Sequence, residues 1–341
     1  MIELERPLNL FFVHDHSSSD RWVSYDRYPR WLVRRGLDAI GIQKRSRPSG
    51  HEIVCKNLRK GLDRLGVEYR YNNFRYIRRN PDDLMCILGQ PKILIDYDWP
   101  NPVVFGPCIF DHPLSNLEFW EQNPNVRRML LPGHWTQDMF ERWYPGSRLE
   151  AWPVGIDVDK WKPCKYTAEK PKRVLIYDKE SPWREQYSKY LIPRIRSHIE
   201  KRNIKIETIV YGKYTPKDLR AALKRSQAVI LLARHETQGI AYQQMLASGV
   251  PILAWNPEYY WQGYGECYGP VPSVPYWDKR CGMKFRNIGE FYANFDSFWG
   301  MVQSEEFSPR EYVTEELTLK KRSEKYVEIV VGGLSKARSN R

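Results

Sequence analysis

One stretch of the chain gathers residue types that could handle a charged ligand: Ala233-Arg234-His235-Glu236-Thr237-Gln238-Gly239-Ile240-Ala241-Tyr242-Gln243-Gln244-Met245-Leu246-Ala247-Ser248-Gly249-Val250-Pro251. An apolar run delivers the carboxylate Glu236, a short turn with glycine follows, and then the amino end of a helix. Gly239 lets a ligand approach the backbone closely, and the N–H groups near Ile240 and Ala241 can receive a phosphate. The bland alternative is that Glu236 only complements the helix dipole. Elsewhere, Ile95-Asp96-Tyr97-Asp98-Trp99 places two carboxylates at a spacing that can hold Mg²⁺ or Mn²⁺ against a diphosphate. Neither GxGxxG nor GxxxxGK[ST] occurs, so a dinucleotide enzyme and a P-loop kinase lack direct support.

The elements that must position these residues alternate between short apolar runs and longer amphipathic ones. Leu8–Val13 reads as a buried strand ended by the polar turn His14–Asp20, and helices are expected at Pro29–Arg35 and His51–Leu65. Val67–Tyr71, Leu84–Leu88, Ile93–Ile95, Val103–Phe105, Arg128–Leu131 and Arg148–Val154 read as strands, with a helix near Thr136–Trp143. Around Gly155–Lys172 the pattern lapses into a linker. It then restarts: strands at Arg173–Tyr177, Ile204–Tyr211, Ala228–Ala233 and Pro251–Trp255 alternate with helices at Arg184–Arg202, Pro216–Arg225 and Glu236–Ala247. A final amphipathic segment runs from about Pro309 to Val331, and the aromatic run Ser273–Gly282 is either cleft lining or a packed loop. The fold class is therefore α/β, with two successive doubly wound domains. Ligands of such sheets bind beyond the carboxyl ends of the strands, and the cleft between two domains is the default site.

Composition limits the classes further. The 341 residues are 42% hydrophobic and 28% charged, with 13 Trp and 22 Tyr, which excludes a disordered chain. No apolar stretch approaches the roughly 18–20 residues that span a bilayer. The amino terminus lacks a secretory n-region, and six scattered cysteines without a CxxC pattern read as reduced thiols, so a cytoplasmic protein is expected. The net charge of +13 is uneven: Arg27–Arg79 holds fifteen Lys or Arg against four acids. Such an excess points to an anionic partner, whether polynucleotide, membrane surface or phosphorylated acceptor.

The Glu236–Pro251 run resembles the donor-binding signature of retaining GT-B glycosyltransferases of the large "glycosyl transferases group 1" family. Glu236, Gly239, Gly249 and Pro251 match that signature, while Gln244 stands where the family has a second acid. Trp152–Pro163 is similar to the segment joining the two domains of these enzymes. The resemblance implies a GT-B fold of two Rossmann-like domains facing a central cleft. These would be an acceptor domain at 1–155, a donor domain at 165–310, and a C-terminal helix with a basic tail at 311–341 that crosses back toward the first domain. It implies transfer of a hexose or pentose from a nucleotide sugar to a glycan or lipid-linked hydroxyl, with retention and without a metal or a resident cofactor. Lys179 and Arg184 correspond to the bases that clamp the donor diphosphate, although Asp178 replaces the glycine usual before the first. Gln238, Gly239, Ile240, Ala241 and Gln244 would complete the donor site, with Glu236 holding the sugar and His112 facing it from the first domain. Peripheral contact with the inner face of the membrane fits the basic stretch.

Three other readings stay open. Asp96-Tyr97-Asp98 could mark a metal-dependent GT-A glycosyltransferase. Tyr28, Trp31, Tyr69, Tyr71, Phe74 and Tyr76, interleaved with the basic residues, could serve nucleic-acid binding or a DNA-modifying glycosyltransferase. Gln244 and Asp178 leave room for a non-catalytic binder of sugar nucleotides.

Overall fold

Continuous runs of Val, Ile and Leu suit strands buried on both faces, which a parallel sheet covered by helices provides. The computed structural model describes residues 4, 6–12, 29, 32–33, 36, 49–89, 91–95, 97–163, 172–179 and 184–338, with backbone alone at 184–189 and 333–338. The first sheet contains β1 (Leu8–Phe11), β2 (Tyr69–Tyr71), β3 (Met85–Ile87), β4 (Val103–Phe105), β5 (Val126–Leu131) and β6 (Leu149–Ala151). Its order is β2-β1-β3-β4-β5-β6 and every pairing is parallel. Helix α1 (Gly50–Leu65) starts at a capping box in which Ser49 and Glu52 each bond the other's backbone N–H. The shorter helices α2 (Phe74–Arg79), α3 (Lys92–Ile95), α4 (Phe119–Gln122) and α5 (His134–Phe140) connect the strands.

The second sheet begins with β7 (Arg173–Asp178), β8 (Lys205–Val210), β9 (Ala228–Leu232) and β10 (Ile252–Trp255), separated by α6 (Arg184–Glu200), α7 (Pro216–Arg225) and α8 (Ile240–Ala247). An antiparallel hairpin of β11 (Tyr259–Gly263) and β12 (Glu266–Val271) precedes the last strand, β13 (Gly282–Phe285). The order is β13-β10-β9-β7-β8, again wholly parallel. Alternation along the strands divides its core. Leu175, Tyr177, Val229 and Leu231 pack with Leu219, Tyr242 and Met245 of α7 and α8. Val174, Ile176, Ile230 and Leu232 pack with Ile195 of α6 and with Phe291, Phe295 and Phe298 of α9 (Ile288–Gln303). Each such side chain withdrawn from water contributes roughly 1.5–3 kcal/mol. Two helices end the chain, α10 (Pro309–Glu316) and α11 (Leu319–Arg338).

Several expectations are corrected. Ile93–Ile95 lies in α3, not in a strand: the N–H groups of Leu94 and Ile95 turn back to the Pro91 carbonyl, and a short β-branched run is ambiguous between the two. The helix expected from Glu236 starts only at Ile240, leaving Glu236 on the preceding loop. The final segment is two helices rather than one, parted at Leu317–Thr318, where Thr318 bridges to Ile156. The turn His14–Asp20 and most of Pro29–Arg35 lie outside the described residues. The chain divides into two compact units, one of Met1–Pro132, Phe140–Trp152 and Ser323–Arg341, the other of Gly133–Met139 and Pro153–Arg322. No helix among the described residues is long and apolar enough to cross a membrane.

Candidate functional site

In the second sheet the chain leaves β7 toward β8 on one side, while β9 pairs on β7's other side. Loops that part in this way open a crevice at the carboxyl ends of β7 and β9. Lys179 is the first residue beyond β7, its N–H still laddered to the Leu232 carbonyl at 2.9 Å. Glu236 lies four residues beyond β9. The two meet there: Lys179 Nζ lies 2.6 Å from Glu236 Oε1, with side-chain exposures of 27% and 9%.

Glu236 is fixed by its backbone. Its N–H donates to the Pro272 carbonyl at 3.1 Å, and its own carbonyl accepts the indole N–H of Trp135 at 2.8 Å. Two residues on, Gln238 Oε1 accepts the Val154 N–H at 3.2 Å, and the Gln238 carbonyl accepts from Gln243 Nε2 at 2.7 Å. Gly239 has φ +70°, and a Cβ there would lie 2.0 Å from the Tyr242 ring, so no other residue fits. Tyr242 is itself pinned, its hydroxyl accepting the Tyr276 N–H at 2.9 Å. Gly239 supplies no side-chain cap to α8, whose first N–H groups, at half-buried Ile240 and Ala241, carry the positive end of the helix dipole.

The charges depend on one another. Burial alone would lower the Lys179 pKa, but the field and hydrogen bond of Glu236 outweigh it and raise the pKa above its usual 10.5, so the lysine is cationic. Its Nζ also lies 5.0 Å from the ring centroid of Tyr211, beyond β8. His235 is pushed down from 6.5 to about 4, first by burial and then by the charges of Lys179 and Arg234, and is neutral near pH 7. Tyr177 and Tyr214 join hydroxyls at 2.9 Å, and burial raises both. The arrangement offers one cation, one buried carboxylate and a helix amino terminus side by side, the groups needed to hold a diphosphate and a hydroxylated ring.

Of the residues singled out in the sequence, Glu236, Lys179, Gln238, Gly239, Ile240 and Ala241 come together here. Gln244 sits half-buried on α8. Arg184 opens α6, and its side chain lies outside what is described. His112 belongs to the other unit, 1% exposed; its Nδ1 accepts the Leu114 N–H at 3.1 Å, which leaves the proton of the neutral ring on Nε2. Asp98 is exposed and Asp96 lies outside the described residues. Sequence reasoning missed Trp135, His235 and Tyr211. His235 adjoins Glu236 and could have been suspected, whereas Trp135 stands 101 positions away and nothing local marks it.

No family model and no curated protein matches the chain. Solved structures do match in shape. A mutant of S. aureus TarM, in complex with Fondaparinux, alpha-GlcNAc-glycerol and UDP, is 12% identical with a TM-score of 0.52; the match covers 74% of this chain and 57% of that one. The chain thus spans little more than half the length of TarM. The lipopolysaccharide outer core galactosyltransferase WaaB is 10% identical over 95% of this chain and 99% of its own, with a TM-score of 0.52. The N-terminal domain of Candida albicans trehalose-6-phosphate phosphatase is 9% identical over 98% of each, with a TM-score of 0.57. Identities this low speak of fold alone, and with two parallel Rossmann-like sheets in one chain that fold is GT-B.

Proposed function

We propose that the chain is a glycosyltransferase that moves a sugar from a nucleotide-sugar donor to an acceptor hydroxyl, with retention at the anomeric carbon. The observation that carries the reading is the Lys179–Glu236 pair beside the amino terminus of α8, at the point where β7 and β9 part. Lys179 and the N–H groups of Ile240 and Ala241 face the leaving diphosphate, on which negative charge develops, and stabilise it without reorganisation. Glu236 accepts hydrogen bonds from the sugar hydroxyls. Fixed positive charge of this kind serves where other enzymes use a divalent metal. The UDP bound to the TarM mutant and the galactosyltransferase name of WaaB support a nucleotide-sugar donor. A glycan or lipid-linked acceptor, met by the basic first domain at the cytoplasmic face of a membrane, completes the reading.

The test is a panel of UDP-, GDP-, ADP- and TDP-sugars, scored first by thermal shift and then by slow donor hydrolysis in the presence of excess EDTA. One donor should raise the melting temperature and be hydrolysed with EDTA present. Silence across the panel would favour a binding protein, and a hit that EDTA abolishes would favour metal-dependent transfer.

A further inference from the structure

The carbonyl of Glu236 is held by a residue from a distant part of the chain. The segment Gly133–Met139 packs with the second unit, and there Trp135, 8% exposed, aims its indole N–H at that oxygen. The segment is tightly seated. A Cβ on Gly133 would come within 2.9 Å of the Thr237 carbonyl oxygen, and Thr136 Oγ1 closes the turn by accepting the Gly133 N–H at 3.1 Å. The Trp135 ring stacks on Tyr268 of β12, with centroids 6.3 Å apart and planes at 26°. It meets the His235 ring edge-on at 83°, and His235 lies flat on Tyr259 of β11 at 5.0 Å and 12°. An isolated two-stranded hairpin is marginal in water, so these ring contacts anchor β11 and β12 to the loop that carries Glu236.

A bond at each end of the Glu236 residue therefore sets the rotation of its peptide planes, while the carboxylate's tether among the described residues is Lys179. A diphosphate arriving at Lys179 competes for that lysine, and Glu236 then needs another reason to stay in place.

We infer that Trp135 is a positioning residue, its indole N–H fixing the backbone of Glu236 so that the carboxylate keeps its geometry when Lys179 turns to phosphate. This rests on the reading of Glu236 as the group that holds the sugar. The experiment compares Trp135→Phe, which keeps a ring and loses the N–H, with Trp135→His, which is smaller but restores a ring N–H donor. Tyr268→Ala removes the stacked ring and keeps the N–H. Turnover is measured with the sugar nucleotide that the panel identifies, and binding with UDP, GDP, ADP and TDP in turn.

Trp135→Phe is expected to lower kcat about tenfold, as loss of one buried hydrogen bond at a reacting geometry should. Nucleoside diphosphate affinity should stay within about twofold, because the phosphate contacts are untouched. Trp135→His should turn over faster than Trp135→Phe, and Tyr268→Ala should stay close to wild type. Packing alone predicts the opposite order, since Phe fills the space better than His. Full activity in Trp135→Phe, or His slower than Phe, overturns the inference while a Glu236→Ala variant remains impaired. Wild-type turnover by Glu236→Ala overturns both this inference and the reading beneath it.

Discussion

Around the first sheet, basic side chains lie over aromatic rings, whereas at the carboxyl ends of the second a lysine is drawn inward against a carboxylate. Arg59 stands 4.0 Å from the ring centroid of Tyr71, Arg70 stands 3.9 Å from that of Tyr76, and Arg78 lies within 5.3 Å of Tyr97 and 5.6 Å of Trp99. The three arginines belong to α1, to the edge strand β2 and to α2 in turn. A guanidinium is planar and weakly hydrated, so a ring can cover one face while its edges stay available to water or an anion. An ammonium is a compact, strongly hydrated charge and enters a partly dry site only with a counterion. Glu236 is that counterion for Lys179. The comparison separates two uses of positive charge, guanidinium groups covered by rings in the first unit and, at the carboxyl ends of the second sheet, a lysine paired with a buried carboxylate.

The largest expected effect comes from unpairing the second. Lys179→Met leaves Glu236, 9% exposed, without its partner. The cost should be roughly 2–3 kcal/mol, below the full penalty for breaking a buried pair because the lysine is itself part-exposed. The double variant Lys179→Met with Glu236→Gln should recover most of that stability, since no lone charge remains, yet recover no donor turnover. Urea unfolding and donor hydrolysis measured side by side decide the matter. A single variant as stable as wild type would mean that water already satisfies Glu236, and the contrast between the two units would collapse.

An effect that appears only on acidification follows from His235. Its folded-state pKa of about 4 lies below the 6.5 of an unfolded histidine, so the unfolded chain takes up the proton first. Stability from this group is complete above pH 6.5 and is lost as the pH falls from 6.5 toward 4, by roughly 3 kcal/mol in all. His235→Phe keeps a ring against Tyr259 and should flatten that part of the stability profile. The same slope in the variant would assign the titration elsewhere.

All six strands of the first sheet were legible in the sequence, as were four of the five in the second, where β13 was not. Val174–Ile176 and Ala228–Leu232 are continuous buried runs bounded by glycine, proline and polar turns, and they became strands within a residue or two of expectation. Most strands of the first sheet have only three residues, too short for any period to show, and Ile93–Ile95, equally short and apolar, reads like them although it is helical. The hairpin of β11 and β12 escaped notice because tyrosines occupy both of its faces: Tyr260 and Tyr264 are exposed while Tyr259 and Tyr268 are half-buried. Ser273–Gly282 resolves as a packed loop, with Ser273, Val274 and Tyr276 buried. At the site, Glu236, Gly239 and Lys179 could be named from spacing and resemblance because each lies just past a recognisable strand. Trp135 could not, since a hydrogen bond between residues so distant in sequence leaves no local trace.

The smallest expected effect tests the first unit's half of the comparison. Arg59 rests over Tyr71, donates from Nε to the Tyr69 hydroxyl at 3.4 Å, and that hydroxyl in turn donates to Asp63 at 2.9 Å. Arg59→Lys keeps the charge but loses the guanidinium–ring contact and the fixed donor. The loss should be no more than about 1 kcal/mol, because the cluster is part-exposed and its charges are screened. Arg59→Met keeps the apolar stem and loses the charge, and its stability should lie within a few tenths of the lysine variant. Retention on a polyanion column should separate the two, with methionine eluting at lower salt and lysine unchanged. Equal elution would show that this arginine's charge does not reach an anionic partner, and a stability loss above about 2 kcal/mol would show that the ring contact is as buried as the Lys179–Glu236 pair.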